Sequence, residues 1–143
     1  MRYGKNIDGI TSIHLWNGTN IVAEVDGQGN VQAKYIRGLN LIAREAQGQS
    51  KRYLFNAHGD VMQLIGDTSG DIWYYDYDAF GVERAMPGQD KEQDPNPFRY
   101  CGEFHDGETD TIYLRARYYR PGIGRFLSVD PAKDGLNWYT YCG

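Results

Sequence analysis

The sequence holds three histidines and two cysteines, and their spacing limits the chemistry they can do. Cys101 and His105 stand four residues apart, close enough to share a zinc ion only if two further ligands join them. His14, His58 and Cys142 do not fall at metal-site spacing. No Ser or Cys sits in a nucleophile-elbow context, and no Cys–His–Asn order is evident, so nucleophilic catalysis has no carrier here. Asp76 and Asp78 in Tyr75-Asp76-Tyr77-Asp78 would share one face of a strand and could address a hard cation. No loop of oxygen ligands accompanies them. The simpler expectation is that they bond backbone groups near the turn at Phe80-Gly81. No metal and no cofactor is expected.

Arg115, Arg117, Arg120 and Arg125 lie in a stretch, 113–129, without an acidic residue. Interleaved with Tyr118, Tyr119 and Phe126, they could form a strip that stacks bases and binds phosphates. Strand alternation accounts for them better. Leu114, Ala116 and Tyr118 would face a core, while the arginines pair with carboxylates on neighbouring strands. Nucleic acid is therefore not an expected partner, and the net charge of −4 gives no reason to invoke one or a membrane surface.

The elements that must position these residues are short strands. The 143 residues include 12 Tyr and 18 Gly, a composition suited to strands joined by tight turns. Asp8-Gly9, Asn17-Gly18 and Asp26-Gly27 recur every nine residues and supply the positive φ angles that hairpin turns need. Between them lie Ser12–Trp16, Ile21–Val25 and Val31–Ile36. In the last, Val31, Ala33 and Tyr35 alternate with Gln32 and Lys34, the period of a half-buried strand. Residues 39–47 can be read as a turn or two of helix between Gly38 and Gly48. A weak internal repeat sets Asn17 against Asn56 and Gly29-Asn30-Val31 against Gly70-Asp71-Ile72. Residues 86–97, with three of the five prolines, read as a polar linker loop between a hairpin region, 1–85, and a final segment, 98–143. The expected fold is all-β: a curled antiparallel sheet of short strands and hairpins, forming one continuous sheet system. No apolar run approaches the roughly 20 residues that span a bilayer, and Met1 to Ile10 is too polar for a signal peptide. Two cysteines make no disulfide framework; two thiols and a single Cys101–Cys142 bridge both stay open.

Residues 98–141 carry an ordered motif string: Phe98-Arg99-Tyr100, Gly102-Glu103, Tyr113-Leu114-Arg115-Ala116-Arg117-Tyr118-Tyr119, Gly124-Arg125-Phe126-Leu127-Ser128, Asp130-Pro131 and Tyr139-Thr140-Tyr141. This string resembles the Rhs repeat-associated core of YD-repeat (teneurin-like) shell proteins. Tyr75-Asp76-Tyr77-Asp78-Ala79-Phe80-Gly81 resembles the motif that names that family, and His58-Gly59-Asp60-Val61 is similar to it. The family pattern continues through Asn-Asn-Pro and a further Asp-Pro, beyond the motifs present here. The resemblance therefore implies a C-terminally truncated core. It also makes residues 39–47 a strand.

The resemblance implies a structural scaffold, the C-terminal part of a shell that encloses a C-terminal payload, often a toxin, and no turnover chemistry. Its partners would be the remaining shell and payload segments. Open strand edges would also favour self-association. It implies secretion or surface display; the absence of a signal in Met1 to Ile10 leaves the cytoplasm open. Two alternatives accompany this reading. One is a remnant of a self-cleaving, aspartyl-protease-like core, with Arg125, Asp130 and, less securely, Asp134 as carried-over site residues. Paired carboxyls resist joint ionisation, so one can serve as base and the other as acid. Against it, Asp130-Pro131 makes a turn. The other alternative is a module that binds carbohydrate or cell-surface protein through Trp16, Trp73 and Trp138. Two positions depart from the family pattern: Asp110 stands where Gly is usual, and Arg120 where Asp is frequent.

Overall fold

A computed structural model describes residues 3–90, 93–94, 96–115, 117–129, 139 and 141. The fold is all-β, as the sequence predicts. Strands β1 (Gly4–Ile7), β2 (Ile10–Asn17), β3 (Asn20–Asp26), β4 (Val31–Arg37), β5 (Leu41–Ala46), β6 (Gln49–Phe55), β7 (Val61–Gly66) and β8 (Ile72–Tyr74) form an eight-stranded sheet in sequence order. Strands β9 (Phe104–Asp106), β10 (Thr111–Leu114), β11 (Arg117–Arg120) and β12 (Arg125–Phe126) form a second sheet in the order β12-β11-β10-β9. The recorded pairings are antiparallel, and neither sheet closes on itself. The chain divides into two compact units, residues 1–54 with 64–72, and residues 55–63 with 73–143.

In the first unit, alternation sorts the side chains. Ile21, Ala23 and Val25 of β3, Ala33 and Tyr35 of β4, and Leu41 and Ala43 of β5 are buried. Gln32 and Lys34 are exposed, and Val31, expected inward with Ala33 and Tyr35, is exposed as well. Residues 39–47 form strand β5, not a helical turn. The Tyr35 hydroxyl donates to the Glu24 carboxylate; burial and that charge hold its pKa well above the usual tyrosine value. Lys51 is buried and pairs with Asp71.

Two hairpins, β1–β2 and β5–β6, turn through two residues that both have positive φ, Asp8-Gly9 (50° and 85°) and Gln47-Gly48 (52° and 73°). That is the type I′ pattern, whose twist matches the strands it joins. The third expected turn is built otherwise. Gly27 has no positive φ; Gly29 does, at 88°. Asp26 Oδ1 accepts the Gln28 and Asn30 amides at 2.9 and 2.8 Å, while the Asp26 and Asn30 backbones bond across the turn. The same five-residue turn recurs at Asn56–Asp60 and Asp78–Val82. Asn56 Oδ1 accepts the amides of His58 and Asp60 at 2.9 and 3.0 Å. Asp78 Oδ1 accepts those of Phe80 and Val82 at 2.8 and 3.0 Å. The fourth residue of each is glycine at positive φ, Gly59 (93°) and Gly81 (86°). The equivalence in the structure is thus Asp26, Asn56 and Asp78, not the offset from Asn17 to Asn56 suggested by the sequence.

The second unit packs around tyrosine. Tyr100, Ile112, Tyr119 and Phe126 form a buried cluster, with Tyr77, Leu114 and Tyr141 against it. Ring centroids lie 4.4 Å apart for Tyr119–Tyr141 and 5.8 Å for both Tyr119–Phe126 and Tyr77–Tyr100. Buried phenols need acceptors. Tyr77, Tyr100 and Tyr119 donate to the carbonyls of Val61, Ala79 and Phe80 at 2.9, 3.1 and 2.6 Å. A Cβ at Gly81 would stand 2.5 Å from the Tyr100 ring. Gly81→Ala is therefore expected to destabilise the protein by about 2–5 kcal/mol, through strain at positive φ and overpacking. Gly88→Ala, at φ 77° with open space around it, should cost about 1 kcal/mol. Urea unfolding of the two variants checks this; equal midpoints would contradict the packing argument.

Candidate functional site

The second five-residue turn, Asn56–Asp60, delivers two titratable side chains to one place. It leads into β7, and its Asx side chain fixes the amides of His58 and Asp60. Asp60 is only 6% exposed, so its carboxylate needs partners. Oδ1 accepts the Cys101 amide at 2.8 Å and meets His58 Nδ1 at 2.9 Å, and Oδ2 accepts from Asn56 Nδ2 at 2.8 Å. Burial raises the Asp60 pKa, but the Cys101 amide, His58 and Asn56 outweigh it and hold the carboxyl below its ordinary value.

Cys101 comes from the 3-10 turn Tyr100–Gly102, where it sits at φ 55°, ψ 16°. Its Sγ lies 3.0 Å from the Tyr141 hydroxyl. Burial and then the Cys101 contact push the Tyr141 pKa up. The His58 ring lies 5.4 Å from that of Tyr100. His58, Asp60 and Cys101 thereby place a nitrogen, an oxygen and a sulfur within 4.8 Å of one another. The sequence concealed this cluster, because its members sit 41 residues or more apart except within His58-Gly59-Asp60.

Cys101 and His105, only four residues apart in the sequence, do not share this site: His105 Nε2 meets Asp110 Oδ1 at 3.1 Å. Asp110 has φ 52°, so it does occupy the left-handed position where the family pattern favours glycine. His105 and Asp110 line an open pocket of about 420 Å³ with Tyr77, Glu83, Arg99 and Tyr100. Arg99, nearly buried, pairs with Glu83 and Asp94 and lies over the Tyr75 ring at 5.1 Å. Burial lowers the Arg99 pKa, but the two carboxylates more than compensate and raise it.

Asp76 and Asp78 do not converge: Asp76 pairs with Arg84 at 3.0 Å, while Asp78 closes its own turn. Among the arginines, Arg115 meets Glu103 at 3.2 Å and Arg117 stacks on Phe126 at 3.6 Å. Arg125, at the start of β12, is exposed and stands opposite Arg120 in the ladder. Asp130 and Asp134 lie outside the described residues, as do Cys142 and Trp138. Trp16 and Trp73 are half-buried. Cys101 is a thiol.

Like charges directly opposed across strands are unfavourable. Arg120→Asp should replace the opposed Arg120 and Arg125 with a cross-strand ion pair and stabilise the protein by about 0.2–1 kcal/mol; the gain should shrink in high salt. Asp60→Asn should cost about 1.5–3 kcal/mol, because charge-assisted bonds are lost. A carboxyl with a depressed folded pKa stabilises above its unfolded value, near 3.9, and loses that contribution as pH falls through the folded value. The gap between native protein and Asp60→Asn should therefore be full above about pH 5 and narrow below about pH 4, as urea titrations across that range would show. A gap independent of pH would remove the charge from the account.

No family model matches the chain. It is 36% identical over 150 residues to the tRNA(Glu)-specific nuclease WapA of Bacillus subtilis subsp. natto, an alignment covering 98% of this chain and 6% of that protein. It is 39% identical over 103 residues to the toxin protein Tse5 of Pseudomonas aeruginosa, covering 67% of this chain and 7% of that one. The chain thus spans well under a tenth of these relatives. The crystal structure of TcdB2-TccC3 shares the fold, with a TM-score of 0.62 at 23% identity over 96% of this chain and 7% of that one. The sequence matches support the chain as a homologue of Rhs-type, toxin-associated proteins.

Proposed function

We propose that the chain is a scaffold segment: the Rhs repeat-associated core at the C-terminal end of a YD-repeat shell, which encloses a payload carried elsewhere in the polypeptide. The observation that carries this reading is the sheet itself. Strands follow one another in sequence order, a five-residue turn of the same construction occurs three times, and neither sheet closes. An open sheet offers backbone donors and acceptors to the strands of a longer shell. The size of the relatives supports the same reading, since a match confined to 6% of a nuclease's length leaves ample chain to hold the nuclease activity.

In this reading the tyrosine cluster and the buried Arg99 group are structural, and the segment has no turnover chemistry. Its partners are the remaining shell and payload segments, and its setting is secreted or cell-surface. Among the described residues, no helix is long and apolar enough to cross a membrane.

Light scattering on the purified chain should give assemblies larger than the 16.3 kDa protomer, because the open edges pair with other copies. The same fractions, incubated with tRNA, should leave it intact. A stable monomer would remove the edge-pairing argument, and cleavage of tRNA would overturn the scaffold reading.

A further inference from the structure

We infer that His58, Asp60 and Cys101 form a binding site for a zinc-class divalent cation. The donor set is one imidazole nitrogen, one carboxylate oxygen and one thiol sulfur, mutually within 4.8 Å. A thiolate with an imidazole selects zinc and its neighbours over magnesium or calcium, which take oxygen ligands. Three protein ligands leave a fourth tetrahedral position to water.

The surroundings hold these donors in place before any ion arrives. Asp60 is oriented by Asn56 Nδ2 and the Cys101 amide, both at 2.8 Å. That amide bond ties the two turns of the site together. Cys101 adopts a left-handed backbone, φ 55°, which non-glycine residues seldom do and which sets the direction of its side chain. The Tyr141 hydroxyl, 3.0 Å from Sγ, can donate to the sulfur once it is ionised. Supporting bonds of this kind fix ligands and tune them.

Zinc–sulfur and zinc–nitrogen bonds of about 2.3 and 2.0 Å bring donors within about 3.5 Å of each other. Separations of up to 4.8 Å must therefore shorten by at most about an ångström or slightly more. His58 can supply that movement, because its side chain is 55% exposed. On binding, the Cys101 thiol gives its proton to solvent and the sulfur lone pair forms the metal bond; no redox change accompanies it.

The test is a titration of the purified 143-residue chain with Co2+, followed by competition with Zn2+. Thiolate ligation gives cobalt an intense sulfur-to-metal charge-transfer band. The expected result is a saturable band at one equivalent that Zn2+ abolishes. It should be absent in Cys101→Ser, weakened at least tenfold in affinity in His58→Ala and retained in Cys142→Ser, with all three variants keeping the native circular dichroism. His58→Ala separates metal ligation from folding, since its side chain is 55% exposed and unchanged circular dichroism would report an intact fold. Absence of the band at equimolar Co2+, a band that survives Cys101→Ser, or one indifferent to His58→Ala would overturn the inference.

Discussion

Three side-chain oxygens, Asp26 Oδ1, Asn56 Oδ1 and Asp78 Oδ1, each collect two backbone amides, and the arrangement of strands depends on them. A chain that reverses over five residues turns its amides inward, away from any ladder partner, and unpaired donors are costly. An Asx oxygen at the first position answers two of them at once. Glycine at the fourth position admits the positive φ that brings the ends of the turn together. The side chains vary around that constraint. Asp26 faces Asn30 in the first turn and Asn56 faces Asp60 in the second, with donor and acceptor exchanged. The third ends in Val82. Asp26 itself is held below the usual carboxylate range by Asn30.

Exchanging donor and acceptor has consequences beyond the turn. In the first turn the closing residue is a neutral amide. In the second it is a carboxylate with an oxygen to spare, and that oxygen reaches the Cys101 amide. The third turn is gripped from inside: Asp78 binds its amides while Tyr100 and Tyr119 take the carbonyls of Ala79 and Phe80. Three tyrosines, Tyr77, Tyr100 and Tyr119, pack in the core and also bond the backbone. Phenylalanine would fill much of the same volume and leave those carbonyls unanswered.

The strands were legible because period-2 alternation and Gly-containing turns are local signals. β4 can be read from Ala33 and Tyr35 against Gln32 and Lys34, and the β1–β2 turn from Asp8-Gly9. Gln47-Gly48 gives a weaker signal for the same turn type, because glutamine rarely takes positive φ. Gly27 misled for a related reason. The Asp26-Gly27 dipeptide has hairpin composition, but the Asp26 carboxylate placed the bend at Gly29. The resemblance in residues 98–141 pointed to the family. It did not indicate the His58–Asp60–Cys101 cluster, which depends on how the Asn56 turn meets the 3-10 turn at Tyr100. Cys101 and His105, four apart in the sequence, do not meet: His105 is in β9, where Asp110 across the β9–β10 turn engages it.

The sequential order of the strands also has a kinetic meaning. Each strand of the eight-stranded sheet bonds to one adjacent in the sequence, so pairing requires only short loops to close, and short loops have little closure entropy to lose. Topologies rich in local contacts fold quickly for their size. Such a sheet can grow by one strand at a time as the chain emerges from the ribosome, each new strand templated by the last. Its growing end stays competent to add the next until something covers it.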